Sequence, residues 1–350
     1  MLGWLLGRLG RAAGAAWLIA SLVFIISRQL PGGPEQLALP DASDLSRPVA
    51  GTRSAASQAA VRQAVRSRLG LALPVFYITR EAGRWYWHGT ANQYHAWAKA
   101  ALRGDLGRSY RDGQPVTTLL GRALRYTLPL AATAAGLAVG LALTLALYLA
   151  RTPAGRGQQL LAGLLSGLQV TPLFLLALGL LLLFANPEFL NLLPAADQAL
   201  AAASFWSRAS YWLGVSALPL LSLVLAVLPE LTLPLAAMLR VEAGMAYATT
   251  ARAKGLTTRQ VLRHHALPNA LIPLLTTLTD LLPALVAGTV VVEVLFALPG
   301  SGRLLAEAAA AHDYPLVVAG VLFTAAARLL GLLLADSLYY LADPRLRPAA

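Results

Sequence analysis

The sequence predicts an all-α integral membrane protein of six transmembrane helices, with a large extracytoplasmic insert after the first. Three observations carry that expectation. Of 350 residues, 57% are hydrophobic and only 13% charged. The apolar residues gather into long uncharged blocks, comparable with the ~20 residues that cross ~30 Å of hydrocarbon. Basic residues then fall unevenly between the loops. The absence of cysteine excludes disulfide frameworks and thiolate-ligated zinc or iron–sulfur sites, and the hydrophobicity excludes a disordered chain.

The first uncharged block runs from 12 to 27. Arg11 and Arg28 at its ends can snorkel into the headgroups, which extends the span to about 9–30. A secretory leader behind Arg8 and Arg11 is the alternative, but Ser27-Arg28-Gln29-Leu30-Pro31 is a poor small-residue cleavage site, so the segment is expected to stay. Blocks 126–150, 157–187 and 209–229 supply three more spans. Regions 270–297 and 315–341, interrupted by Asp280, Glu293, Arg328 and Asp336, are long enough for the last two. The chain thus divides into 1–30, an insert at 31–125 and a five-helix core at 126–345.

Six crossings put both termini on one side. That side collects Arg8, Arg11, Arg151, Arg156, Arg240, Arg252, Lys254, Arg259, Arg263, Arg345 and Arg347, against Arg208 and Arg303 in the short opposite loops. Short loops rich in Lys and Arg stay in the cytoplasm, so both termini are expected there. The insert is too long for this rule to count. From Arg28 to Arg125 it has 14 Lys or Arg against six Asp or Glu, a net +8. It holds helix-compatible runs at 57–69 and 91–102, and Trp85, Tyr86, Trp87, Tyr94 and Trp97. Its surface reads as a headgroup-contacting face or as a docking face for an acidic partner; it faces away from the cytoplasm, which argues against nucleic acid.

Chemistry is sparse. The only lysines, Lys99 and Lys254, each follow Ala, so the chain has no Walker A phosphate cradle. Gly300-Ser301-Gly302, with His264, His265 and His312 elsewhere, leaves an intramembrane hydrolase using Ser301 as an alternative that needs a base in reach of the hydroxyl. Adjacent His264 and His265 cannot share a helix face as an i, i+4 metal pair does, so no metal site is expected.

The longest cytoplasmic segment, 240–268, is the informative one. Ala248 to Lys254 reads as a small-residue helix ended by Gly255 as a left-handed cap, and Thr257 with Gln260 makes a capping box for a second helix. Such an elbow, with Arg252 and Lys254 at its tip, suits a groove on another protein.

Thr250-Ala251-Arg252-Ala253-Lys254-Gly255-Leu256, followed by Leu267-Pro268, resembles the signature loop of permease subunits of binding-protein-dependent ABC importers, with the Gly-to-Leu-Pro spacing intact. Further islands resemble the dipeptide/oligopeptide permease branch in its order: Leu30-Pro31-Gly32-Gly33-Pro34, Gly104-Asp105-Leu106-Gly107 with Pro115-Val116, Pro172, Val291-Val292-Glu293 with Pro299-Gly300, Asp313-Tyr314-Pro315, and Asp336 through Asp343-Pro344-Arg345. Thr249, Ala246 and His265 stand where the family has Glu, an acidic residue and an aliphatic one. The resemblance implies a type I ABC importer permease fold and a non-catalytic subunit without a cofactor of its own. It also implies a second homologous permease, two P-loop ATPase subunits carrying ATP and Mg, and an extracytoplasmic substrate-binding protein that delivers peptide. Another small solute, such as a nickel chelate, is the alternative cargo. The elbow from Thr250 to Leu256, with Leu267 and Pro268, is where it places ATPase coupling.

Glu230, Asp280 and Arg328 fall at mid-bilayer depth, where a charge must pair or face water. Arg328 paired with Glu230 or Asp280 within the bundle is one expectation, and contact with a translocation cavity is the other. Pro219, Pro229, Pro234 and Pro283 are expected to bend spans four and five.

Overall fold

Helix dominates because in hydrocarbon each backbone N–H and C=O must be satisfied within its own segment. The computed structural model describes residues 2–28, 63, 72–81, 83–151, 155–186, 190 and 205–342. The Leu30–Pro34 island, almost all of the 57–69 run, the 343–345 island and the side chains of Asp280, Pro283 and Asp336 lie outside what it describes. The elements are α1 (Leu2–Ser27), strands β1 (Ile78–Glu81) and β2 (Arg84–Trp87), α2 (Gln93–Ala101), α3 (Val116–Leu149), α4 (Arg156–Val170), α5 (Leu173–Phe184), α6 (Phe205–Ala243), α7 (Ala246–Ala253), α8 (Thr258–Val261), a π-helical turn (Leu262–Ala266), α9 (Leu267–Leu295), α10 (Ser301–Ala310) and α11 (Tyr314–Ala342).

Two compact units emerge. The first comprises residues 123–303 and 327–350. Its centre is α6, which packs against α4, α5 and α9 through Leu223, Leu231, Leu235 and Leu239. α6 runs unbroken through Pro219, Pro229 and Pro234. On α3, Ala134, Ala138, Ala142 and Ala146 recur every fourth residue and are buried, while Leu137, Leu141 and Tyr148 are exposed. This inverts the soluble pattern. Where the solvent is lipid, small residues go to the helix contacts and large apolar ones face outward. Gly288 of α9 follows the same rule, since a Cβ there would stand 3.1 Å from Leu173 and 3.2 Å from Leu223.

The second unit comprises residues 2–122 and 304–326. Val116, Ala308, Leu316 and Ala319 form its apolar cluster. The Asp313 carboxylate, 2% exposed, accepts from Ser109 Oγ at 2.5 Å and from the Tyr110 N–H at 3.0 Å, which ties the 104–115 loop to the start of α11. A second cluster is aromatic: Trp97 of α2 stacks on Trp17 and Phe24 of α1, at 5.3 and 4.9 Å between centroids.

Two expectations need correction. The insert is not all-α: β1 and β2 form an antiparallel hairpin pairing Ile78 with Trp87 and Arg80 with Trp85. Its short run of Ile, Thr, Tyr and Trp favours strand, and Gly83, at φ +82°, supplies the left-handed turn. The 157–187 block is not one straight span: α4 and α5 meet at 108°, because Pro172 has no N–H to continue α4 and biases Thr171 to its observed extended conformation. Among the described residues three helices, or four if the bent pair counts as one span, are long and apolar enough to cross a membrane. α1 contributes a shorter apolar stretch, Ala13–Ser27, and α9 another, Ala284–Leu295.

Candidate functional site

The 240–268 segment folds as two short helices meeting at a glycine. α7 ends at Ala253 with Lys254 as its cap, and Gly255 follows at φ +91°. A Cβ there would meet nothing within 4 Å, so conformation rather than crowding requires glycine. Thr257 Oγ1 accepts from the Gln260 N–H at 3.4 Å, and Gln260 Oε1 accepts from the Thr257 N–H at 2.9 Å, the reciprocal bonds of a capping box. Ala248, Ala251 and Val261 bury against one another with Leu256 beside them.

That packing sorts the predicted coupling residues. Ala251 is buried and Leu256 and Leu267 are half-buried, holding the elbow together. Thr250, Arg252, Ala253, Lys254, Gly255 and Pro268 are exposed. Arg252 bends back, its Nη2 donating to the Ala243 carbonyl at 3.0 Å and to Thr249 Oγ1 at 3.2 Å. Thr249 thus serves as acceptor for that arginine.

The base of the elbow is clamped by residues the sequence reading did not single out. Tyr247 Oη donates to the Glu242 carboxylate, and Asn269 Nδ2 donates to Tyr247 Oη at 3.2 Å and Glu242 Oε2 at 3.4 Å. Burial first, then the hydrogen bond to Glu242, hold the Tyr247 phenol above its usual range, so it stays protonated and keeps donating. The end of α6, α7 and the start of α9 are joined in this way. Beside them Arg240 Nη2 donates to the Leu149 carbonyl at 2.9 Å, capping α3, and Gln158 Nε2 donates to the Tyr148 carbonyl at 2.6 Å, tying α4 to the same helix end.

Glu293 occupies a different kind of position. It is 1% exposed and accepts from Thr127 Oγ1 at 2.6 Å, from the Gly302 N–H at 2.6 Å and from the Arg303 N–H at 3.3 Å. A carboxylate on the first-turn amides of α10 satisfies donors that have no partner within the helix and complements its dipole. Thr127 Oγ1 also accepts from the Ser301 N–H at 2.8 Å and from Ser301 Oγ at 3.0 Å. The glycines are there for space: a Cβ at Gly300 would fall inside the Glu293 carboxylate, and one at Gly302 inside the Val290 backbone. Ser301 is buried and its hydroxyl donates a hydrogen bond to a threonine, not to a histidine, so the base that a serine nucleophile needs is not in reach and the residue opens a helix instead.

Glu230 and Arg328 are both exposed, and no ion pair joins them. Among the described residues the expected Arg328–Glu230 pair is not made. The Asp280 and Asp336 side chains fall outside the described residues. Among the described residues no group of three His, Asp or Glu could hold a metal.

Comparison with known proteins agrees with this architecture. The description of binding-protein-dependent transport system inner membrane components matches residues 142–348. A Brucella abortus (strain 2308) protein provisionally named a peptide transport system permease is 31% identical over 347 residues, covering 98% of each chain. The dipeptide transport system permease protein DppB of Escherichia coli (strain K12) is 42% identical over 123 residues, 33% of this chain and 36% of that one. The oligopeptide transport system permease protein AppB of Bacillus subtilis (strain 168) is 42% identical over 100 residues, 29% of this chain and 32% of that one. With its apolar helices, its break at Pro172 and its glycine elbow, the chain belongs to the family of binding-protein-dependent transport system inner membrane components, and is a non-catalytic membrane permease subunit.

Proposed function

We propose that this subunit forms half of the translocation pathway of an ATP-driven importer of di- or oligopeptides, and that its 246–268 elbow receives the ATPase stroke. The observation that carries the reading is the elbow itself: an internally packed knob with an exposed rim of Thr250, Arg252, Ala253 and Lys254, clamped through Glu242 and Tyr247 to α6 and through Asn269 to α9. A knob that moves with two membrane helices passes displacement to the pathway, and displacement is useful only if its partner grips it differently in two states. Peptide as cargo is supported by the similarity over 98% of the Brucella peptide permease. The reading includes six crossings with α1 and α9 counted, both termini in the cytoplasm, a second permease, an extracytoplasmic binding protein, and two ATPases holding ATP and Mg.

Mass spectrometry of what co-purifies in mild detergent tests the coupling half. A Walker A protein and a second permease are expected with the native chain, and the ATPase is expected to be lost from Gly255→Trp, which places an indole on the exposed tip. Recovery of the chain alone under every mild condition would sink the reading. Uptake of a labelled dipeptide against a nickel chelate by the reconstituted assembly tests the cargo, and chelate uptake without peptide uptake would replace it.

A further inference from the structure

The hairpin of the second unit presents a face that folding leaves uncovered. By the register Ile78↔Trp87 and Arg80↔Trp85, and the alternation of side chains along a strand, Ile78, Arg80, Trp85 and Trp87 lie on one side. Trp85 is 70% exposed, Trp87 71% and Ile78 44%. An indole is among the largest apolar surfaces a chain can bury, so two of them standing outward on one short hairpin call for an occupant.

The fold fixes where that face sits. Trp87 stacks on Tyr77 at 5.9 Å, Tyr77 meets Tyr94 edge-on at 6.0 Å, and Tyr94 meets Phe24 of α1 at 5.9 Å between ring centroids. Tyr94 Oη is also 2.8 Å from Ser21 Oγ, and Trp17 Nε1 donates to it at 3.2 Å. Three ring-to-ring steps therefore hold the hairpin within reach of the C-terminal half of α1, whose other side shows Leu18, Ile19, Leu22 and Ile26 to the outside. If α1 lies in lipid, the hairpin is kept at the edge of that lipid.

Chemistry selects the occupant. Indole rings prefer the boundary between acyl chains and headgroups, where the ring is buried and its N–H stays wet. Arg80 holds its guanidinium 5.6 Å from the Trp85 ring centroid, so aromatic and cation reach the boundary together, and the segment around them is net positive. We propose that the Ile78–Arg80–Trp85–Trp87 face is a lipid-binding surface that seats in the headgroup layer at the C-terminal end of α1, with Arg80 on an anionic phospholipid.

Because the chain has no cysteine, one can be placed at will. The test is an environment-sensitive fluorophore on Ile78→Cys, in the assembled complex reconstituted into phosphatidylcholine vesicles with and without phosphatidylglycerol. The expected result is quenching by a lipid spin-labelled near its headgroup, with several-fold protection from aqueous iodide. Trp85→Ser/Trp87→Ser in the same background should abolish both, while co-purification with the ATPase shows that the chain still folds. Arg80→Gln, a surface change, should reduce the preference for phosphatidylglycerol about five-fold. A label open to iodide and blind to the lipid quencher overturns the proposal. Protection that arises only when the binding protein is added also overturns it, and assigns the face to a protein.

Discussion

A single carboxylate can organise a corner that no local motif defines. Glu293 joins α9 to the start of α10 directly and to α3 through Thr127, and Gly300 and Gly302 exist to let it in. Removing the carboxylate strands two amides and a hydroxyl, each costing about 1–3 kcal/mol when buried without a partner. Glu293→Ala is therefore expected to destabilise the chain by about 3 kcal/mol or more. Thr127→Val is expected to cost less, and the double variant less than the sum of the two, because the two residues share one network; a coupling of about 1 kcal/mol is the signature. Thermal unfolding of the four proteins in detergent measures it. Strict additivity would mean that Thr127 packs beside Glu293 without depending on it, and that the chain of bonds to Ser301 is incidental.

At the scale of elements, the elbow separates conformation from contact. Gly255 sits at φ +91° with open space where a side chain would go, so Gly255→Ala is charged only for left-handed backbone, about 1–2 kcal/mol. It is expected to lower transport-coupled ATP hydrolysis of the assembled complex severalfold while leaving the ATPase bound, whereas an indole at this position is expected to evict it. Full activity of Gly255→Ala would show that the turn relaxes without cost and that the elbow geometry is not what the ATPase reads. The elbow was legible in the sequence because its determinants are local: a glycine, a capping box four residues long, and small residues at helical spacing. The clamp beneath it was not, since Glu242, Tyr247 and Asn269 meet only after three elements have packed. The hairpin escaped for a different reason. Its strands are four residues each, too short for a period-two alternation to stand out from the surrounding sequence. Pro172 was visible, but a proline in an apolar block announces a bend without its size, and 108° makes two helices of what composition counted as one.

For the molecule as a whole, the outward-facing charges bear on whether this chain is complete alone. Glu230 lies well inside the apolar stretch Gly214–Ala243, and Arg328 lies inside Tyr314–Gly331, yet both are exposed and unpaired with each other. Left in hydrocarbon, each costs about 2.5–3.5 kcal/mol on insertion scales, so lipid is the wrong neighbour for either. A water-filled pathway or the second permease subunit proposed above would remove that cost. Glu230→Gln and Arg328→Gln are therefore expected to leave the melting temperature of the isolated chain in detergent unchanged or slightly raised, while lowering the yield or the transport rate of the assembled complex. The two neighbours then part company. If a subunit contact is responsible, each variant loses co-purification with the second permease, and a charge of opposite sign on the facing subunit restores it. If water is responsible, the complex forms normally and uptake alone falls. Destabilisation of the isolated chain by either variant would mean that the charge is satisfied within this subunit after all, and that the surface which now exposes it is closed when the protein stands in its membrane.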